Sequence, residues 1–198
     1  MAELRGRFIT VEGGEGAGKS TQVSLLVAAL ARAGLPVRAT REPGGSPGGE
    51  AIRRLLLEGE GERWDAISEA LLLVAARHDH VTRLIKPSLE QGVWVVSDRF
   101  ADSTLAYQGY GRGVGPAQLA ELHHFALGAF APDLTLVLDL PIEIGLARAA
   151  ARSAAERAAA RASPVSTGRS RITVRSGAKS PRARRCNVAR SSNATPLP

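Results

Sequence analysis

Apolar positions along the chain change period in a regular way, and the changes mark alternating strands and helices. Phe8-Ile9-Thr10-Val11 is a short, nearly continuous apolar run, the pattern of a strand covered on both faces. After a glycine-rich turn, Val23, Leu26, Val27 and Leu30 recur at helical spacing, and Gly34 supplies a stop. Leu35-Pro36 leads into a second strand, Val37-Arg38-Ala39-Thr40. A helix starting near Gly49-Glu50 is expected to bury Ile52, Leu55 and Leu56, leaving Arg53 and Arg54 free. Past the polar connector from Glu58 to Arg63, a helix from about Asp65 offers Ile67, Ala70, Leu71 and Val74 as its core face, and Arg77 ends that run. Further helix reaches Gln91, with Pro87 bending it or starting a new turn.

The second half repeats the alternation. Val93-Trp94-Val95-Val96-Ser97 has the character of a central parallel strand, with Asp98-Arg99 at its carboxyl end. Phe100 to Gly115, rich in Gly, Tyr, Gln and Ser, reads as a functional loop that becomes partly helical. A helix from Pro116 is expected to bury Leu119, Leu122, Phe125 and Ala126. The strand Leu134-Thr135-Leu136-Val137-Leu138 ends in Asp139, and Pro141 opens a long Ala/Arg-rich helix reaching at least Arg152 and extending to about Ala162. The alternation predicts an α/β fold, a parallel sheet of four strands with right-handed crossovers and helices on both faces. Ile172-Thr173-Val174 is a shorter fifth candidate, flanked by charge.

The turn after the first strand is Gly13-Gly14-Glu15-Gly16-Ala17-Gly18-Lys19-Ser20, followed by Thr21. A glycine, four residues and Gly-Lys-Ser between a strand and a helix is the phosphate-loop pattern. Glycines let successive N–H groups converge on a phosphate, and the helix N-terminus adds partial positive charge. Lys19 then reaches the β- and γ-phosphates of a nucleotide such as ATP, and the Ser20 hydroxyl is placed to ligate Mg²⁺. Asp98, an acid closing a hydrophobic strand, is the expected second metal-side residue. Arg41, Arg53, Arg77, Arg99 and Arg112 fall at or near element ends, where guanidinium groups suit phosphate oxygens. His78 and His80 are two apart on a helix and do not share a face, so no metal site is expected there.

Charge divides the chain. Residues 1–152 hold 16 Lys/Arg and 18 Asp/Glu, whereas residues 153–198 hold ten Lys/Arg and the single acid Glu156. Beyond Arg152 the large apolar residues are only Val165, Ile172, Val174, Val188 and Leu197. A folded domain over 1–152 and a basic, disordered tail over 153–198 are therefore expected. The single cysteine, Cys186, excludes an internal disulfide, and no apolar run approaches bilayer length, which suits a cytoplasmic protein without a membrane partner. The tail has no aromatic residue for base stacking, so nucleic acid is not an expected partner.

Five separated blocks carry a resemblance. They are Glu12 to Thr21; Thr40-Arg41-Glu42-Pro43-Gly44-Gly45; Asp98-Arg99-Phe100; Ser103-Thr104-Leu105-Ala106-Tyr107-Gln108-Gly109; and Pro132 to Asp139. Over its first ~150 residues the chain resembles the bacterial thymidylate kinases. The resemblance implies a P-loop nucleoside monophosphate kinase fold, transfer of the γ-phosphoryl of ATP to dTMP giving dTDP, Mg²⁺, and a homodimer. Carried over by position, Glu15 faces the deoxyribose 3′-hydroxyl, and Arg53 and Arg99 clamp the dTMP phosphate. Glu42-Pro43 shapes the sugar side, Arg77, Thr104 and Gln108 meet the thymine edge, and Tyr107 crowds the 2′ position. Lys19, Asp98, Arg99, Arg148 and Arg152 form the catalytic set, the last two at the start of a lid.

There are two departures. Leu73 stands where many members stack an aromatic ring on thymine. After Arg152 the family's acidic lid, last strand and closing helices give way to an Arg/Ser/Ala/Pro-rich stretch that resembles out-of-frame translation of a GC-rich gene. The alternatives are a kinase of another nucleoside monophosphate, or a crippled P-loop protein whose basic tail binds polyanions.

Overall fold

Strands and helices alternate through the computed structural model, which describes residues 5–58, 63–159, 171–176 and 184–186. The order is β1 (Phe8–Gly13), α1 (Lys19–Arg32), β2 (Val37–Arg41), α2 (Pro47–Leu57) and α3 (Ala66–His80). One π-helical turn, Val81–Ile85, joins α3 to α4 (Lys86–Glu90), which precedes β3 (Trp94–Asp98). Then come α5 (Ala101–Thr104), a second π-helical turn (Leu105–Tyr110), α6 (Pro116–Leu127), β4 (Leu134–Asp139) and α7 (Ile142–Ala159). β5 (Arg171–Ser176) and β6 (Arg184–Cys186) follow. Pro87 sits in the first turn of α4, just after the chain has widened by a π turn, so its missing N–H is placed where the helical ladder is already interrupted.

Strand order is β2-β3-β1-β4-β5-β6, and the first four strands are parallel, as the alternation predicts. Register sets Phe8 beside Val95, Ile9 beside Leu134 and Val37 beside Trp94. β1 is central and buried almost throughout, so that even its polar residues Thr10 and Glu12 lie inside. Its side chains alternate between two cores. Phe8 packs with Val95, Phe100, Ile85 and Leu89, its ring edge-on to Phe100 at 5.0 Å. Ile9 and Val11 pack with Val23, Val96 and Leu138 on the other side. This order carries the chain from β3 across β1 to β4, so the carboxyl ends of four parallel strands form one crevice, where such sheets take ligands.

Helix starts are fixed by local chemistry. Ser46 caps α2, its Oγ accepting from Gly49 N at 3.2 Å, and Asp65 caps α3 by accepting from Ile67 N and Ser68 N. α1 differs: its N-cap is Gly18 in the left-handed region (φ 92°), with no side-chain cap. Its first N–H groups are thus left for something other than the protein's own side chains.

Two expectations are corrected. Leu55, Ile67, Leu71 and Phe125 were expected in the core, yet all are exposed, Phe125 at 90%. Ala70, Val74 and Leu119 are buried as expected, joined by Arg77 on α3 and Leu127 on α6, while Ile67, Leu71 and Phe125 point outward. The last strand, expected to be missing, has a substitute: β5 pairs with β4 antiparallel, Leu136 opposite Val174, and β6 pairs with β5. Three β-branched residues in a row, Ile172-Thr173-Val174, provide that strand despite its flanking charge. The expected disordered tail otherwise falls outside the described residues. Among the described residues no helix is long and apolar enough to cross a membrane.

Candidate active site

The phosphate loop runs from the end of β1 into α1 as predicted. Lys19 opens the helix and is 8% exposed, its Nζ donating to Gly13 O at 3.0 Å and Gly14 O at 2.9 Å. Burial, and then the charge of Arg99, lower the pKa of its ammonium, while Asp98, Glu12 and Glu15 raise it. Gly16 has φ 67°, and a Cβ there would stand 2.0 Å from the carbonyl oxygen of Gly145 on α7. Only glycine admits both the left-handed backbone and this approach. Ser20 Oγ donates to Asp98 Oδ2 at 2.9 Å, so the loop and the end of β3 put two hard oxygen donors together.

Arg99, next along, is held in the left-handed region (φ 73°), which a non-glycine residue adopts only when its surroundings impose it. Here they are several. Arg99 N donates to Val11 O at 3.0 Å, Ser97 Oγ donates to Arg99 O at 2.8 Å, and Phe100 N donates to Glu12 Oε1 at 2.6 Å. Glu12 Oε2 accepts from Ser103 Oγ, also at 2.6 Å, and Ser103 Oγ in turn accepts from Arg99 Nη1 at 3.0 Å. The Arg99 guanidinium lies 5.0 Å from the centre of the Tyr107 ring, a cation–π contact. Glu12 is 4% exposed; burial raises its pKa, and the two hydrogen bonds it accepts oppose the rise. Reading the sequence gave Glu12 no role of its own. The available signal is an acid near the end of a strand that, apart from Thr10, is otherwise apolar or glycine.

Beside this lies a cavity of about 430 Å³. Of the residues predicted to hold a substrate, Glu42, Pro43 and Leu73 line it on one side, and Arg99, Tyr107 and Gln108 on another. Arg77 and Thr104 complete that set. Arg77 is 4% exposed, and its charge is met by Glu42: Nε donates to Oε2 at 2.7 Å, while Nη2 donates to Phe100 O at 3.1 Å and Thr104 Oγ1 at 2.7 Å. The other oxygen of Glu42 lies 3.1 Å from Nδ1 of the fully buried His80, whose Nε2 is 2.7 Å from Thr40 Oγ1. His80 thus supports Glu42, and His78 turns elsewhere, to Ala126 O. Glu42-Pro43 is a cis peptide.

Two predicted substrate residues, Arg53 and Glu15, and the two catalytic candidates on α7, Arg148 and Arg152, stand outside the cavity wall. Arg53 is adjacent, donating to Pro43 O at 2.8 Å; Glu15 is exposed on the phosphate loop; Arg148 is half-buried on α7. Arg152 Nη2 comes within 3.9 Å of Glu15 Oε1, so α7 and the loop approach each other through this pair as well as through Gly145 and Gly16. A further lining residue, Glu69 on α3, was not anticipated. It accepts from Gln108 Nε2 at 2.8 Å and from Arg112, which also donates to Trp64 O. Its position among ordinary polar helix residues gave no signal that α3 would turn it toward the 105–110 segment.

A family model of thymidylate kinases matches residues 11–168. The chain belongs to the thymidylate kinase family. It is 58% identical over 147 residues to the thymidylate kinase of Nitrobacter hamburgensis, covering 74% of this chain and 64% of that one. It is 55% identical over 147 residues to that of Caulobacter vibrioides, covering 74% and 71%. The matched part thus spans about two thirds of the length of these curated relatives. A crystal structure of thymidylate kinase from Ehrlichia chaffeensis superposes with a TM-score of 0.64 at 37% identity, covering 78% of this chain and 89% of that one. The P-loop nucleoside monophosphate kinase fold read from the sequence agrees with this likeness, and membership of the family rests on far more than the phosphate loop.

Proposed function

We propose that the chain is an ATP-dependent dTMP kinase, forming dTDP by transfer of the γ-phosphoryl group. The observation that carries this reading is the position of Arg99. It borders the cavity and directly follows Asp98, which accepts from Ser20 of the phosphate loop, so a donor's phosphates on the loop and an acceptor's phosphate in the cavity would meet at one arginine. Catalysis of this class is positioning and charge neutralisation, with no covalent intermediate on the protein.

In this reading the loop Gly13–Ser20, with Thr21, binds ATP. Ser20 and Asp98 would hold Mg²⁺, whose chemistry is to neutralise charge on the phosphates; two adjacent hard oxygens fit that ion. Arg53 and Arg99 take the dTMP phosphate, Glu15 the 3′-hydroxyl, and Glu42-Pro43 the sugar side. Arg77, Thr104 and Gln108 take the base edge over Leu73, and Tyr107 crowds the 2′ position. Arg148 and Arg152 would approach the phosphoryl group from α7. Residues 1–152 are the kinase domain, and the basic segment 153–198, which also supplies β5 and β6 beside β4, stands in place of an acidic lid. A cytoplasmic homodimer belongs to the same reading, and the outward apolar residues Ile67, Leu71 and Phe125 support the dimer.

Calorimetric titration of ATP with Mg²⁺ into the parent chain and Lys19→Ala tests the loop. Losing charge-assisted bonds should weaken binding by on the order of 10- to 100-fold. Equal affinity in the two proteins contradicts the assignment.

A further inference from the structure

Among the cavity residues, Gln108 has an orientation that another side chain decides. A carboxylate can only accept, and Glu69 is engaged on its second oxygen by the Arg112 guanidinium. The Gln108 amide must therefore turn its nitrogen to Glu69 Oε1, 2.8 Å away. Its oxygen has no protein partner among the described residues, and Gln108 lines the cavity. Close by, Arg77 has spent Nε and Nη2 on Glu42, Phe100 O and Thr104, which leaves the N–H groups of Nη1 as donors. Both residues line the cavity, which therefore offers a donor from Arg77 and an acceptor from Gln108.

Resting on the dTMP kinase reading above, we propose that Glu69 is a positioning residue for base selection. It locks the Gln108 amide so that the oxygen faces the base, favouring the imide edge of thymine or uracil over the edge of cytosine. An imide presents a ring N–H next to a carbonyl oxygen, the complement of that acceptor and donor. Cytosine presents an unprotonated ring nitrogen next to an amino group, so both contacts are reversed. A site built for one hydrogen-bond pattern rejects the reversed one because buried polar groups are left unpaired.

The variant Glu69→Gln sets up a specific conflict. Gln at 69 has one acceptor oxygen, and the charged Arg112 takes it. Its amide nitrogen then faces Gln108, whose amide must flip and present nitrogen to the base. Removing the arginine as well frees that oxygen to accept from Gln108 again. Affinities for dTMP and dCMP are to be measured by calorimetry on the parent chain, on Glu69→Gln and on Glu69→Gln/Arg112→Ala.

The parent should prefer dTMP by about tenfold or more, the single variant by about threefold or less, and the double variant should recover most of the preference. A single variant that keeps the ratio, or that loses affinity for both nucleotides in parallel, shows a merely structural role and overturns the proposal. So does a double variant that fails to recover it. A parent that binds dTMP without preference over dCMP defeats this inference and leaves the kinase reading standing. A parent that binds neither nucleotide overturns both.

Discussion

Glu12 concentrates the chemistry of the site in one buried carboxylate. Its two oxygens fix Phe100 N and Ser103 Oγ, and through them the left-handed turn that aims Arg99. Burial raises its pKa above the usual 4.5. A raised folded-state pKa means that protonation favours the folded chain. That contribution is complete below the unfolded pKa and is lost as pH rises through the folded one. Glu12→Gln carries no charge at any pH. The stability of the parent relative to this variant should therefore decline as pH rises through that interval, as urea denaturation across a pH series will show. A difference independent of pH would mean that the carboxylate is not strained by burial. The same scale explains why Glu12 and Glu69 escaped sequence reading. Each acts on residues far away in the chain, Phe100 and Gln108, and no local spacing encodes those meetings.

At the scale of elements, α7 and the phosphate loop are joined by two facing glycines. A Cβ on Gly145 would stand 2.5 Å from Glu15 O, and one on Gly16 would meet Gly145 O. Gly145→Ala should push α7 off the loop, displacing Arg148 and Arg152 together, and slow phosphoryl transfer by roughly tenfold or more with the fold retained. Unchanged turnover with unchanged circular dichroism would show that this contact is idle. Elements whose signals are local were legible in the sequence. The loop was read from its own glycines and Lys19, and β1, β3 and β4 from apolar runs that can only be buried on both faces. Leu55, Ile67, Leu71 and Phe125 were misplaced because helical periodicity marks an apolar stripe without saying what covers it. β5 is only a short candidate in the sequence, because pairing with β4, which outweighs its flanking charges, is a tertiary fact.

For the whole molecule, Ile67, Leu71 and Phe125 border an apolar groove between α3 and α6, with Leu122 and Val114 in its floor. In the proposed homodimer this surface is covered by the second copy. Phe125→Glu would place a charge in it and should yield monomers by sedimentation equilibrium, where the parent sediments as a dimer. A parent that is monomeric at the same concentration removes the dimer from the account.

The central claim is acceptor-specific phosphoryl transfer, and it is tested most directly by following a radiolabelled γ-phosphoryl group from ATP, with Mg²⁺, into dTMP, dCMP and AMP. With a basic segment where the family carries an acidic lid, transfer should run on the order of 10³-fold slower than in the Caulobacter vibrioides relative. The account predicts label in dTDP above the Lys19→Ala background, and far less in the products of dCMP and AMP. Label in dTDP no greater than that background, or equal labelling of all three acceptors, would contradict it.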